Sequence, residues 1–275
     1  MEHIDNVKTL LAAGTAQVAP QQLDQGPAFA IIPQDYKVAS LESQAEQPAR
    51  KRGNVITSNT DGFIFYLNKH GHDTRTLVYA NVDAEYSQFN LVAVIDDHGD
   101  THTDPQWREH LCHFAPDQAV EWKRWIGKDK QAFTQGDFAT WLEDNLGDIA
   151  SVPNMPTGAD ILKMSLGFEA NAEKRLRSKI NVQNGGVQFE FVEDEDKDTR
   201  TKMEVFQRFT LGIPVFDGST SAYPIEARLK YREKDGKVTF WFELIRPDRV
   251  FKTAVQDELT RIKEGTGFSV ICGKP

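Results

Sequence analysis

His98, Asp100 and His102 stand at alternate positions in the stretch 94–104, VIDDHGDTHTD, with Asp96, Asp97 and Asp104 around them. Imidazole and carboxylate are natural ligands for a divalent metal, and a loop just past an apolar run is a common place to hold one. A metal there would activate water for hydrolysis of nucleic acid or nucleotides. In that reading His98, Asp100 and His102 are the ligands, with Asp96 and His70, from the HGHD stretch at 70–73, in support. The order of residues points elsewhere. His98 and His102 keep the four-residue spacing of an H-E-x-x-H helix, but Gly99 follows His98 where the Glu belongs. Gly and Asp break helices and favour turns. A metal or ligand site and a plain polar turn both remain open readings of these residues.

A second constellation lies in PQWREHLCHF (105–114) and EWKRW (121–125). Trp107, Trp122 and Trp125 alternate there with Arg108, Lys123 and Arg124, and His110 lies close by. Aromatic and basic residues interleaved in this way stack bases and grip phosphates on single-strand-binding surfaces, and they also serve for a protein partner. The competing reading buries the tryptophans in the core and leaves their basic neighbours wet. EDEDKD at 193–198 reads as a solvated hairpin tip, with an acidic docking segment as its alternative. Gly265 and Gly267 do not make a dinucleotide loop, because no third glycine opens a helix after them. No Walker A or GxSxG stretch occurs, and no catalytic residue is assigned.

The chain around these residues has 275 positions, 39% of them hydrophobic and 10% aromatic, enough to build a sizeable core. Its 32 basic and 41 acidic residues leave a net charge of −9. That balance argues against general coating of duplex DNA, whose affinity rests on phosphate neutralisation. It leaves room for a local basic strip, or for an acidic surface that meets a basic partner. Cys112 and Cys272 are far apart and form no CxxC, so neither a disulfide framework nor a cysteine zinc site is expected. The opening MEHIDNVKTLLAAG has too short an apolar run for a signal peptide, and no segment approaches the ~18 apolar residues of a membrane span.

Ile4, Val7, Leu10 and Leu11 keep helical spacing up to Gly14, and a Gln- and Pro-rich stretch to Gly26 follows as a linker. NTDGFIFYLNKHG reads as a short helix capped by Asn59 or Thr60, with Phe63, Tyr66 and Leu67 on one face and Gly71 at its end. TRTLVYANVD and FNLVAVID form a pair of strands. HLCHF and AVEWKRWIG have strand or turn character. TQGDFATWLEDNLG is a helix with Thr134 and Asp137 as its capping pair and Phe138, Trp141, Leu142 and Leu146 as its buried stripe. Thr157 and Asp160 repeat the cap for a helix that follows. Hairpins are expected at 179–193, turning at Asn184-Gly185-Gly186, and at 225–245, turning at Asp235-Gly236. In the second, Ile225, Ala227, Leu229 and Tyr231 alternate with Glu226, Arg228, Lys230 and Arg232, which gives one buried and one wet face. Pro247 opens a closing helix with Val250, Phe251, Ala254, Val255 and Leu259 on its apolar side. The fold class is α+β, with an antiparallel sheet packed against several short helices and a C-terminal helix.

AIIPQDYKVASLE, GFIFYLNKH, PQWREHLCHF, EWKRW, FATWLEDNL, FTLGIPVF and ARLKYREKDGKVTFWFELIRPDRVF run in this order across nearly the whole chain. In them the sequence resembles the DUF2303 (YfdQ-like) family of bacteriophage and prophage proteins. The resemblance implies a phage or prophage origin, an intracellular protein in the host cytoplasm and an early, nonstructural gene. It brings no catalytic residues with it.

These readings divide the chain into an N-terminal helix and arm, 1–53, and an α+β body, 54–275, with 54–150 and 151–275 as candidate subdomains. The function expected is that of a non-enzymatic accessory protein binding a host or phage component in DNA metabolism or counter-defence. A metal-dependent hydrolase and a single-stranded nucleic-acid-binding or annealing protein are the alternatives. No cofactor is expected beyond the divalent metal of the hydrolase reading. A homo-oligomer is expected through Val7, Leu10 and Leu11, since a helix of about ten residues is marginal alone in water.

Overall fold

The structure is a computed structural model that describes residues 6–11, 14, 21–22, 28–29, 45–83, 88–169, 175–180, 187–192, 202–234 and 237–275. The chain divides into two compact units, Met1–Lys51 and Arg52–Pro275. In the first, residues 6–11 are helical (α1), and β1 (Gln21–Gln22) pairs antiparallel with β2 (Ala28–Phe29). Ile4, most of the linker to Gly26, the apolar piece beyond Phe29, the turns at 184–186 and 235–236 and the acidic run 193–198 lie outside the described residues.

The second unit holds a five-stranded sheet in the order β14-β4-β5-β6-β3. Its members are β3 (Gly53–Thr57), β4 (Leu77–Val82), β5 (Phe89–Val94), β6 (His110–Phe114) and β14 (Val270–Cys272). The expected pair β4 and β5 is antiparallel, as is β5 with β6. Both outer pairs, β3 with β6 and β14 with β4, are parallel. A four-stranded antiparallel sheet runs β11-β12-β13-β7, from Arg208–Ile213, Tyr223–Lys234, Lys237–Leu244 and Phe133–Thr134. A three-stranded antiparallel sheet joins β8 (Arg175–Ile180), β9 (Val187–Val192) and β10 (Lys202–Val205). The fold is α+β, and strands pair across both turns expected from Asn-Gly-Gly and Asp-Gly.

The helices follow their sequence signals closely. α2 (Thr60–His70) starts where the Asn59 side chain accepts a hydrogen bond from Gly62 N–H, and it buries Phe63 and Leu67. α4 (Gln135–Asp144) starts at Thr134, whose hydroxyl accepts from Asp137 N–H. α5 (Gly158–Glu169) repeats the device between Thr157 and Asp160. α6 (Pro247–Thr266) opens on its proline and closes on Gly267, which holds a left-handed φ of 73°. Two expectations are corrected. AVEWKRWIG is not strand or turn but helix α3 (Val120–Lys128), because Trp122 and Trp125 are three residues apart and only a helical turn sends both into the core. Leu146 leaves the buried stripe of α4, since that helix stops at Asp144 and Leu146 opens a 3-10 turn with an exposed side chain.

One continuous apolar core runs through this unit. Phe216 joins the five-stranded sheet to α6: its ring lies 5.1 Å from Phe89 of β5 and 5.4 Å from Phe251 of α6. α2 stacks Phe63 on Phe114 of β6 at 5.5 Å. Full burial of each such ring contributes roughly 1.5–3 kcal/mol. At the end of α2 the chain turns against the aromatic ring of Phe268. A Cβ on Gly71 would collide with that ring and would lie 2.6 Å from the Leu67 carbonyl oxygen. Gly71→Ala is therefore expected to lose about 1–3 kcal/mol by overpacking. The readout is a lower urea midpoint with an unchanged slope.

Candidate functional site

β5 delivers the chain into the acidic loop, and the loop's first carboxylates are used at once. Asp96 accepts hydrogen bonds from the backbone N–H groups of Glu109 (3.0 Å) and His110 (2.8 Å). With Ile95 N–H donating to the His110 carbonyl, this closes the neck of the loop. Asp97 is buried. Its carboxylate accepts from His98 N–H at 2.8 Å and from the Tyr79 hydroxyl at 2.8 Å. Arg108 Nε lies 3.0 Å from Asp97 Oδ1 without the alignment of a hydrogen bond, so that contact is ionic. The hydrogen bond of Arg108 runs instead from Nη2 to the Tyr79 oxygen, 3.1 Å away. Burial, then the adjacent Asp97, holds the Tyr79 hydroxyl above its ordinary pKa. Arg108 sits at a positive φ of 55°, a conformation that persists in a non-glycine residue only where its surroundings hold it.

The rest of the loop is braced in the same manner. His98 Nδ1 accepts from Gln106 N–H at 3.0 Å. A backbone amide can only donate, so Nδ1 carries no proton and the neutral ring keeps its hydrogen on Nε2. In that tautomer neither nitrogen offers a metal a lone pair. Asp104 receives Arg75 in a fork, Nε at 3.2 Å and Nη2 at 3.3 Å, and Gln106 Nε2 at 2.6 Å. Asp100 and His102 remain on the exposed tip. The three expected ligands share one loop and line one open surface hollow. Among the described residues no group of three or more His, Cys, Asp or Glu is placed to hold a metal ion. The second stretch does not join them: His72 engages Thr74 and Thr76 in its own turn.

His70 belongs to a cluster that its spacing alone did not announce. The Tyr66 hydroxyl and His110 Nε2 are 2.8 Å apart, and the His70 ring lies 4.6 Å from Tyr66 and 5.5 Å from His110. The i, i+4 relation of Tyr66 and His70 on α2 was readable. Its third member arrives from β6, placed by the parallel pairing of β3 with β6. Burial, and Cys112 beside it, push the Tyr66 hydroxyl up. Cys112 is itself fully buried, and desolvation raises its thiol to about 11, offset in part by Thr57. A raised thiol pKa means that the folded state disfavours the thiolate, so this contribution to stability is present below the unfolded pKa and is lost as pH rises through about 11. At pH 8 a thiol reagent is expected to modify exposed Cys272 rapidly and Cys112 only after denaturation. Counting released chromophore before and after adding guanidinium checks this.

The expected aromatic and basic surface is taken apart by the fold. Trp122 and Trp125 are 4% and 0% exposed, and His110 is buried too, so none of the three can receive a base or a partner. Trp125 Nε1 donates to Asp148 at 2.7 Å. Arg124 Nη1 donates to Asn145 at 2.5 Å, bracing the end of α4. Arg108 is tied to Asp97 and Tyr79. Trp107 alone stands out, 69% exposed at the foot of the braced loop. Val7, Leu10 and Leu11 of α1 are exposed. No described helix is long and apolar enough to cross a membrane.

No curated protein and no solved structure matches the chain. The family model described as an uncharacterized conserved protein, DUF2303, matches residues 2–275. The chain belongs to the DUF2303 family.

Proposed function

We propose that this is a phage or prophage accessory protein that acts by binding a host or phage component in DNA metabolism or counter-defence, in the cytoplasm of a bacterial host, and not by catalysis. The braced loop carries this reading. Asp96, Asp97, Asp104 and His98 satisfy the loop's own donors, so what it presents outward is a braced shape with exposed Trp107 at its foot. A preorganised loop loses little entropy on binding, and tryptophan is among the residues that dominate interface energies. Purification of the tagged chain from infected cells is expected to bring down a stoichiometric partner, and Trp107→Ala to weaken that capture at least about tenfold. Recovery of the chain alone under several mild conditions would remove the support for this reading.

The exposure of Val7, Leu10 and Leu11 favours a second proposal, a homo-oligomer in which α1 docks on another copy. Three apolar side chains on a helix this short gain stability by burial against a neighbour. Deleting residues 1–26 is expected to lower the mass measured by light scattering. An unchanged mass would rule the arm out.

A further inference from the structure

We propose that the wet face of the sheet formed by β11, β12 and β13 is a binding surface for single-stranded nucleic acid. The proposal deepens the binding reading above by naming the chemistry of one partner, at a surface separate from Trp107. On a chain of net charge −9, this face carries Arg208, Arg228, Lys230, Arg232 and Lys237 against two carboxylates, Glu226 and Glu243. Both acids are answered within the face: Arg208 lies 3.5 Å from Glu226, and Lys230 lies 3.0 Å from Glu243. The surplus is positive, and its place is set by the strand. Arg228, Lys230 and Arg232 occupy alternate positions of β12, so they project from one face at intervals of about 6.6–6.8 Å. A row of cations at that pitch suits the phosphates of an extended strand.

Trp241 supplies the second half of such a site. It lies directly opposite Lys230 in the register of β12 and β13, and the Arg232 guanidinium carbon is 5.9 Å from its ring centroid. The buried side of β13 explains Val238, Phe240, Phe242 and Leu244 as core. On the opposite side Trp241 is half-buried, with its indole N–H donating to Glu243 at 3.5 Å and its ring toward the cations. An indole with a guanidinium over one face, within a row of cations, is the combination that sandwiches a base with its aromatic and cationic planes and grips its phosphates. An acidic protein partner would be served by the cations alone. A duplex hides its base faces and leaves Trp241 without a stacking role.

The test is fluorescence anisotropy of the full chain with a labelled oligothymidylate, at several salt concentrations. Binding is expected to weaken with salt, by a slope of about −0.7 in log K per log salt for each phosphate neutralised. Trp241→Ala is expected to weaken binding at least about fivefold. Trp241→Phe, which keeps an aromatic face, should lose less. Joint replacement Arg228→Glu and Arg232→Glu should weaken binding more than tenfold and flatten the salt slope. Urea midpoints of each variant near that of the parent establish that the surface, not the fold, was altered. Three results would each overturn the proposal: no affinity for the oligonucleotide, affinity indifferent to these variants, and displacement by polyglutamate no weaker than by unlabelled oligonucleotide. Capture of a stoichiometric protein through Trp107 with no oligonucleotide binding would leave the binding reading standing and dispose of this one.

Discussion

Trp125→Ala is expected to cost about 3–5 kcal/mol, the loss typical of emptying a fully buried aromatic site. The indole is fully buried, and its ring meets Phe242 at 5.0 Å, Trp141 at 5.6 Å and Phe209 at 6.0 Å. Those neighbours belong to β13, α4 and β11, so the cavity opens where three elements are joined and none can move to fill it alone. The change also strips Asp148 of the indole N–H that it accepts at 2.7 Å. Trp125→Phe keeps much of the volume while removing the hydrogen bond and part of the indole, and is expected to lose about 1–3 kcal/mol. Urea unfolding of both variants checks the size and the order of the two losses. A Trp125→Ala protein as stable as its parent would mean that Trp125 is not in the core.

Asp97→Ala is the second large effect, about 2–4 kcal/mol. The carboxylate is almost wholly enclosed, and its removal strands three groups at once: the Arg108 guanidinium, the Tyr79 hydroxyl and the His98 amide. Arg108 is about one-third exposed, and water reaching it holds the loss below that of a fully buried broken pair. The ion pair and the Tyr79 bond are also what hold Arg108 at its positive φ. Without them the backbone there has reason to relax, and amide exchange through 97–108 should rise with the loss of stability. Asp100→Ala, three positions on and exposed at the tip, is expected to stay within about 0.5 kcal/mol. Equal effects at the two positions would show that the acidic residues do not differ in role.

That contrast between Asp97 and Asp100 was invisible in VIDDHGDTHTD, where both are simply acidic residues near a histidine. Which carboxylate faces a guanidinium depends on Arg75 and Tyr79 of the preceding hairpin and on Arg108 beyond the loop, and these contacts are set by the register of β4, β5 and β6. The candidate metal ligands had the right chemistry, but among the described residues no group of three or more is placed to hold an ion. Local signals carried more. The caps at Asn59, Thr134 and Thr157 act over three residues, so they survive whatever the tertiary fold does. The alternation from Ile225 to Arg232 specified a half-buried strand because the period of two leaves no other way to separate its apolar from its charged side chains.

The sequence by itself determined the α+β class, the helix starts at the capping residues, the antiparallel β12 and β13 pair and membership of the family. Only the tertiary structure decided that EWKRW is a helix with its tryptophans inward, since their spacing of three is compatible with several local structures until a core claims both rings. It also decided that β3 and β14 join the first sheet in parallel. Those partners lie dozens of residues or more away in the chain, and no local pattern encodes a pairing that depends on where the intervening helices pack.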